Sequence, residues 1–313
     1  MPSTHALHGA CRLTDRGVIR ARGADAGKFL QGQLTNDVLG LDSGQARLAG
    51  FCSAKGRLQA SFVVWQSADE EYLLVCSASL LAPTLKRLSM FVLRARCKLD
   101  DASGEVALWG LAGADAETLL GDARGWERRE RDGATLIGLP DGAGTRRALV
   151  AVPAGARFDP AGAETLAPEA WRWLEVESGV ITIEAATVDR FVPQMVNFEL
   201  VGGVDFRKGC YPGQEVVARS QYRGSTKRRT FLFRSDADAI AGQDVFGSAA
   251  GAEAVGTVAQ AATRPDGAGS SALVEVRLAA LGDAELHLGS ADGQGLRRAA
   301  LPYPVPLDAE AAA

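Results

Sequence analysis

The chain has 313 residues, 47% of them hydrophobic, with 34 Lys and Arg against 38 Asp and Glu for a net charge of −4. That length predicts two or three modules rather than one small domain, and the slight acidity excludes a general nucleic-acid coat, which needs a basic surface to meet phosphate. No stretch approaches the roughly eighteen apolar residues of a membrane helix, and the start lacks a basic segment followed by an apolar run, so the expected location is cytoplasmic.

Residues 1–15 read as a variable lead-in. Gly17 to Arg22 alternates like a strand, and Gly23-Ala24-Asp25 opens a helix with Phe29, Leu30 and Leu34 on one face. Gly23 to Lys28 lacks the spacing of a phosphate loop and has Phe29 where Ser or Thr would hold magnesium. Arg47–Ser53 and Leu58–Gln66 are strands about the turn 54–57, followed by a strand over 71–77, a helix over 79–92 and a strand over 94–99. The order describes an α+β unit with helices on one face of a mainly antiparallel sheet. A looser version follows: a strand at 105–111, a helix at 115–120, a hairpin at Asp132-Gly133, a strand at 147–152 and a helix at 168–179 with Trp171, Leu174 and Val176 inward. Beyond Arg229, short strands at 230–233, 255–260, 271–278 and 285–288 between Gly-rich turns predict a small β-barrel. The expected division is 1–100, 101–229, 230–303 and a disordered tail, 304–313.

The chemistry-bearing residues are unevenly spread. Five cysteines (Cys11, Cys52, Cys76, Cys97, Cys210) without a CxxC argue against a disulfide framework and a self-contained zinc or iron–sulfur site, so no metal is expected. Three histidines, two of them near the start, cannot readily supply a Ser-His-Asp triad or a Cys-His pair. The dense stretch is 206–224, FRKGCYPGQEVVARSQYRG, which places Cys210 and Tyr211 between the bends Lys208-Gly209 and Pro212-Gly213. The segment from Gln214 fits a helix by its Glu/Arg spacing and a strand by Val216-Val217. A lone cysteine here is either a buried filler or, beside Arg207 and Lys208 and ahead of a helix, a thiol of lowered pKa. The run 223–229 is expected to be a solvated hairpin.

KGCYPGQE followed by VAR, YRG and KR resembles the signature of the YgfZ-type folate-binding proteins, relatives of the glycine-cleavage T-protein (aminomethyltransferase). FLQGQLTNDV (29–38), AKGRL (54–58), FVPQMVNFELVGGVDF (191–206) and LPY (301–303) extend the likeness over most of the chain. It implies an α+β, T-protein-like fold: two ferredoxin-like α+β modules around a central cavity, plus the C-terminal β-barrel. It also implies tetrahydrofolate as cofactor, and iron–sulfur enzymes, including tRNA-modifying ones, as partners, with no direct nucleic-acid or membrane contact. Trp171 matches a tryptophan that stacks near folate in the family, whereas the second such tryptophan corresponds to Gly17. By itself Trp171 reads equally as core. The resemblance also makes Asn36 and Asp37 candidates for the cavity lining. Gln194, Asn197 and Glu199 are candidates for the pterin edge, with Lys208, Arg219 and Arg223 for the glutamate tail and Glu215 beside them. Cys210 is the candidate redox-sensitive thiol or transient sulfur or metal ligand. The alternative is a folate-dependent one-carbon transferase. T-proteins carry a catalytic aspartate where this chain has Gln59, Ala60 and Ser61, so the resemblance argues against aminomethyl transfer.

Overall fold

The structure, a computed structural model, describes residues 7–160, 163–222, 226–248, 253–281 and 285–306. Strand β1 (Gly9–Arg12) leads into β2 (Arg16–Arg22), α1 (Ala26–Gln31), β3 (Arg47–Cys52), β4 (Leu58–Ala68), β5 (Glu71–Ser77), α2 (Ala78–Ser89) and β6 (Lys98–Asp101). Five of these strands form one antiparallel sheet in the order β3-β4-β5-β2-β6.

The second sheet takes β7 (Val106–Ala112), β8 (Arg128–Arg131), β9 (Ala134–Gly142) and β10 (Thr145–Pro153), with α3 (Ala114–Leu120) after β7. Its order is β1-β7-β10-β9-β8. The lead-in is therefore built into the other sheet. Gly9 to Arg12 pair with Ala112 to Trp109, and the free edge of β1 is covered by residues 164–166 through Ala10 N–H to Glu164 O (2.7 Å) and Leu166 N–H to Ala10 O (2.9 Å). The β8–β9 hairpin turns at Asp132-Gly133, both with positive φ (51° and 85°), the backbone that a two-residue hairpin of matching twist requires.

Side-chain parity explains how the two sheets stack. In β2 and β5, Val18, Leu73 and Val75 face the other sheet, while Ile19, Ala21, Tyr72 and Leu74 face α1 and α2. In β10, Leu149 and Ala151 face the first sheet, while Ala148 and Val150 pack on α3. Both sheets are thus buried on both faces, so their strands read as nearly continuous apolar runs rather than alternating ones.

Helix α4 (Pro168–Glu177) completes the shared layer, with Pro168 in its first turn, where its missing N–H costs nothing. After α5 (Gln214–Tyr222), strands β11 (Arg228–Ser235), β12 (Asp244–Gly247), β13 (Ala254–Thr263), β14 (Ser270–Arg277), β15 (Leu286–Leu288) and β16 (Gly295–Ala299) close a barrel in the order β11-β14-β13-β12-β15-β16. Strands β12 and β16 were not expected. They are short, and Gly295–Ala299 carries two arginines and little apolar side chain.

The run expected as a solvated hairpin ends inside β11. Arg228 pairs with the buried Glu275, and Arg229, itself buried, pairs with Glu199. Most of the expected tail, 307–313, lies outside the described residues. Among the described residues no helix is long and apolar enough to cross a membrane.

Candidate functional site

Two places carry the candidate chemistry: the KGCYPGQE loop and a cavity between the sheets. In the loop, backbone meets backbone. Gly56 (φ +70°) and Gly213 (φ +78°) nest against each other, and a Cβ on Gly213 would stand 2.6 Å from Gly56 Cα. The turn 53–56 and the Pro212-Gly213 turn are therefore one interlocked unit, which only glycine at both places allows. Tyr211 beside it is buried in the cluster that joins the first sheet to the barrel, and burial pushes its phenol pKa up. Helix α5 follows, settling the open choice at residue 214; its Val217 is buried and its Val217 carbonyl accepts from Gln194 Nε2 at 2.8 Å.

Lys208 has a different task from the one expected. Its Nζ donates to the carbonyls of Gln31 and Leu34 (the latter at 2.5 Å), just at and beyond the C-terminal end of α1, and lies 5.1 Å from the Tyr211 ring centroid. An ammonium there satisfies carbonyls that the helix leaves unpaired and complements its dipole. It is thus committed to holding the loop on the first module, not open to a ligand's tail. Burial lowers its pKa from the ordinary 10.5 to about 8, against the opposing pull of Asp37 and Asp205. The folded protein therefore releases this proton before the unfolded chain does. Between about pH 8 and 10.5 the unfolded state holds more protons, so this group's contribution makes stability rise with pH through that window and is least favourable below it. The buried thiols, with raised pKa values, lower stability in the same window in both proteins, so the check is the difference. Urea midpoints from pH 7 to 10 should show the wild type gaining on Lys208→Met as pH rises.

Cys210 is exposed, whereas Cys11, Cys52 and Cys76 are buried with thiol pKa values pushed up to about 11, 12 and 12, chiefly by burial. As a described thiol open to solvent it can meet a partner. Glu215 and Arg219 are exposed on α5 and make no ion pair among the described residues, and Arg223 lies outside them. No group of three or more His, Cys, Asp or Glu among the described residues could hold a metal.

The other candidates serve the frame. Asn36 donates to the carbonyls of Leu48 (2.7 Å) and Gly202 (2.6 Å) and accepts from Asp37 N–H, which uses its amide fully. Asn197 takes the left-handed backbone (φ 57°) and donates to Thr230 O at 2.8 Å, tying the 193–196 turn to the barrel. Glu199 is engaged by Arg229, and burial raises its carboxyl pKa. Gln194 Oε1 and Asn197 Oδ1 are buried acceptors without a protein partner. None of these four lines the cavity that holds Trp171.

That cavity, about 70 Å³, is bounded by both sheets, α4 and residues 180–182. Trp171 is 2% exposed, its indole laid on Gly110 of β7, where a Cβ would stand 2.6 Å from the ring atoms. Its Nε1–H has no protein acceptor. Arg16 enters from β2 and is gripped by both oxygens of Glu175 at 2.8 Å, with Asp15 at 3.2 Å. Parity shows why Gly17 removes nothing from this wall: Val18 faces the cavity layer, so position 17 faces α2, where a Cβ would meet Leu81 at 2.9 Å. The residue of this strand that reaches the cavity is Arg16. Ser61, in the stretch where T-proteins place their aspartate, also lines it, its hydroxyl accepting from Ile183 N–H at 2.9 Å.

Four lining residues escaped the sequence reading, Arg16 and Glu175 as well as Trp126 and Arg147. Trp126 separates this cavity from an outer groove at 204–207 and holds φ +68°, an unfavourable backbone for a bulky residue. Arg147 lies two positions from Leu149 on the inward face of β10, and that period of two was the available signal.

Two sheets around a walled cavity, with a β-barrel packed on the far side of α4, define a protein of the aminomethyltransferase fold. The family model GCVT N-terminal domain matches residues 5–130. The crystal structure of glycine cleavage system aminomethyltransferase T from Bartonella henselae superposes with a TM-score of 0.74 over 96% of this chain and 87% of that one, at 17% identity. Within that fold the chain is 35% identical over 253 residues to tRNA-modifying protein YgfZ of Edwardsiella ictaluri (strain 93-146), covering 73% of this chain and 72% of the relative. It is 31% identical over 246 residues to tRNA-modifying protein YgfZ of Escherichia coli O45:K1 (strain S88 / ExPEC), covering 74% of each. The chain belongs to the YgfZ family.

Proposed function

We propose that the chain binds a folate in the cavity between its sheets and supports tRNA modification through iron–sulfur enzymes, with Cys210 as the thiol that meets the partner. The observation that carries the reading is the wall at Trp171: a buried indole beside two unpaired donors, Trp171 Nε1 and Arg147 Nη1, in a chain of the YgfZ family. Those donors fit an oxygen-bearing heteroaromatic ligand. The volume sets a condition, since about 70 Å³ is less than the roughly 150 Å³ that accommodates a benzene ring. A pterin therefore enters only if the walls part or the ring lies toward the open side. Bound there, a folate would supply a one-carbon carrier. The chain's own residues would orient it, and no carboxylate of the wall is free to move its proton, because Glu175 is held by Arg16. The same point weighs against the one-carbon transferase alternative.

Calorimetry with tetrahydrofolate tests the binding half, and the activity of an iron–sulfur tRNA-modifying enzyme in cells carrying Cys210→Ser tests the other. Saturable binding, together with lost enzyme activity at unchanged protein level, is expected. Absence of binding would remove the folate reading, and full activity with Cys210→Ser would remove the thiol's role.

A further inference from the structure

Arg147 is 3% exposed, deep in the wall between the sheets. Its Nε and Nη2 both donate to the Pro140 carbonyl, at 3.0 and 2.9 Å, which fixes the guanidinium and leaves Nη1 without a protein acceptor. It forms no ion pair among the described residues. Glu175, the carboxylate that acts on it most strongly, is held by Arg16, and Asp141, the other, is exposed. Burial lowers the Arg147 pKa to about 10, so the side chain is still charged at neutral pH. A buried cation without a counter-charge is costly, and proteins retain one where something else meets it. Pro140 O, a neutral acceptor, offsets this only in part.

The second unpaired donor lies close by. The Arg147 guanidinium carbon is 5.2 Å from the Trp171 ring centroid, and Trp171 Nε1 also has no acceptor. Both residues line the one cavity. Arg16 cannot take the same part, because its guanidinium is already engaged by Glu175 and Asp15.

We propose that Arg147 Nη1 and Trp171 Nε1 form a two-donor site, inside the cavity, for an oxygen acceptor carrying full or partial negative charge: a carboxylate or a conjugated ring carbonyl. For its natural ligand the inference rests on the folate reading and deepens it, since a folate carries both groups, the pterin carbonyl and the glutamate carboxylates. A space of about 70 Å³ suits such an oxygen-bearing edge better than a whole ring system. Arg147 is then the residue that selects the ligand by charge, and Trp171 the one that fixes its tilt.

The test is calorimetry on the whole chain with tetrahydrofolate, 6-methyltetrahydropterin and p-aminobenzoylglutamate, using wild type, Arg147→Met and Arg147→Lys, each checked by circular dichroism. Expected is binding of tetrahydrofolate and of one fragment by the wild type, weakened at least about tenfold in Arg147→Met, as for loss of a charge-assisted hydrogen bond. The fragment that binds identifies which oxygen is held. Arg147→Lys keeps the charge without the fork and should fall between; it also serves if Arg147→Met fails to fold. Folded variants that bind tetrahydrofolate as the wild type does would overturn the site while sparing the folate reading. Should the wild type bind none of the three, the folate reading fails. The site is then judged on acetate and inorganic phosphate by thermal shift: stabilisation lost with Arg147 upholds it, and no stabilisation overturns it.

Discussion

Trp171→Ala is expected to lose about 3–5 kcal/mol of folding stability, the usual cost of emptying a large buried aromatic site. Against a total of roughly 5–15 kcal/mol for a domain, that is a large share, and the collapse of the emptied wall would weaken ligand binding whether or not the indole touches a ligand. The reason lies in how the ring is seated. It packs with Leu149 and Leu174 in the layer between the sheets and rests flat on Gly110, the place on β7 where a side chain is missing. A methyl at 110 should therefore collide with the indole and destabilise the wild type by about 1–3 kcal/mol. In the Trp171→Ala background the same methyl has space and should cost little or stabilise. Urea denaturation of Gly110→Ala, Trp171→Ala and the double variant measures the coupling. Additive losses would mean that ring and glycine do not share this contact. Trp171→Phe, which keeps a flat ring and removes the Nε1 donor, is the proper variant for asking about a ligand.

The frame was legible where a segment's own pattern decides it. Helix α4 could be read from Pro168 at its start and Trp171, Leu174 and Val176 on its inner face, and all three are buried. Strands β3, β4 and β5 of the first sheet were legible because β-rich runs there are bounded by turns such as 54–57, whereas the strand expected at 94–99 lies at Lys98–Asp101. What stayed hidden depends on partners distant in sequence. Strand β1 looked like a loose lead-in because its neighbours, β7 and residues 164–166, lie about a hundred or more residues away.

Lys208 looked available because nothing in its motif shows that the carbonyls of Gln31 and Leu34 await it. Position 17 looked like a loss from the ligand site, but one residue of parity turns it toward Leu81. Among the described candidate residues, Trp171 is the one that meets the cavity. Arg147 and Trp126 reach it through register and a strained turn, which residue type alone does not signal.

The two glycines of the motif should behave in opposite ways. Gly213→Ala forces a Cβ onto a left-handed backbone, at roughly 1–2 kcal/mol, and drives it into Gly56 Cα at 2.6 Å. The obstacle is main chain, which no rotamer change relieves, so overpacking adds roughly another 1–3 kcal/mol. Unseating the turn is the cheaper response. That frees Tyr211 from the cluster it shares with Cys52 and breaks the packing of Val216 on Gly56. Gly209→Ala, one residue before Cys210, meets nothing within 4 Å and has no positive φ, so it should stay within about 0.5 kcal/mol of wild type. Urea midpoints give the energies, and hydrogen exchange over 208–222 shows whether the loop has lifted: faster in Gly213→Ala, unchanged in Gly209→Ala. Equal stability and exchange in the two variants would mean that the glycine-on-glycine contact does not hold the loop. If the contrast holds, Gly209 has no task inside the chain, and what it leaves beside the exposed Cys210 thiol is open approach.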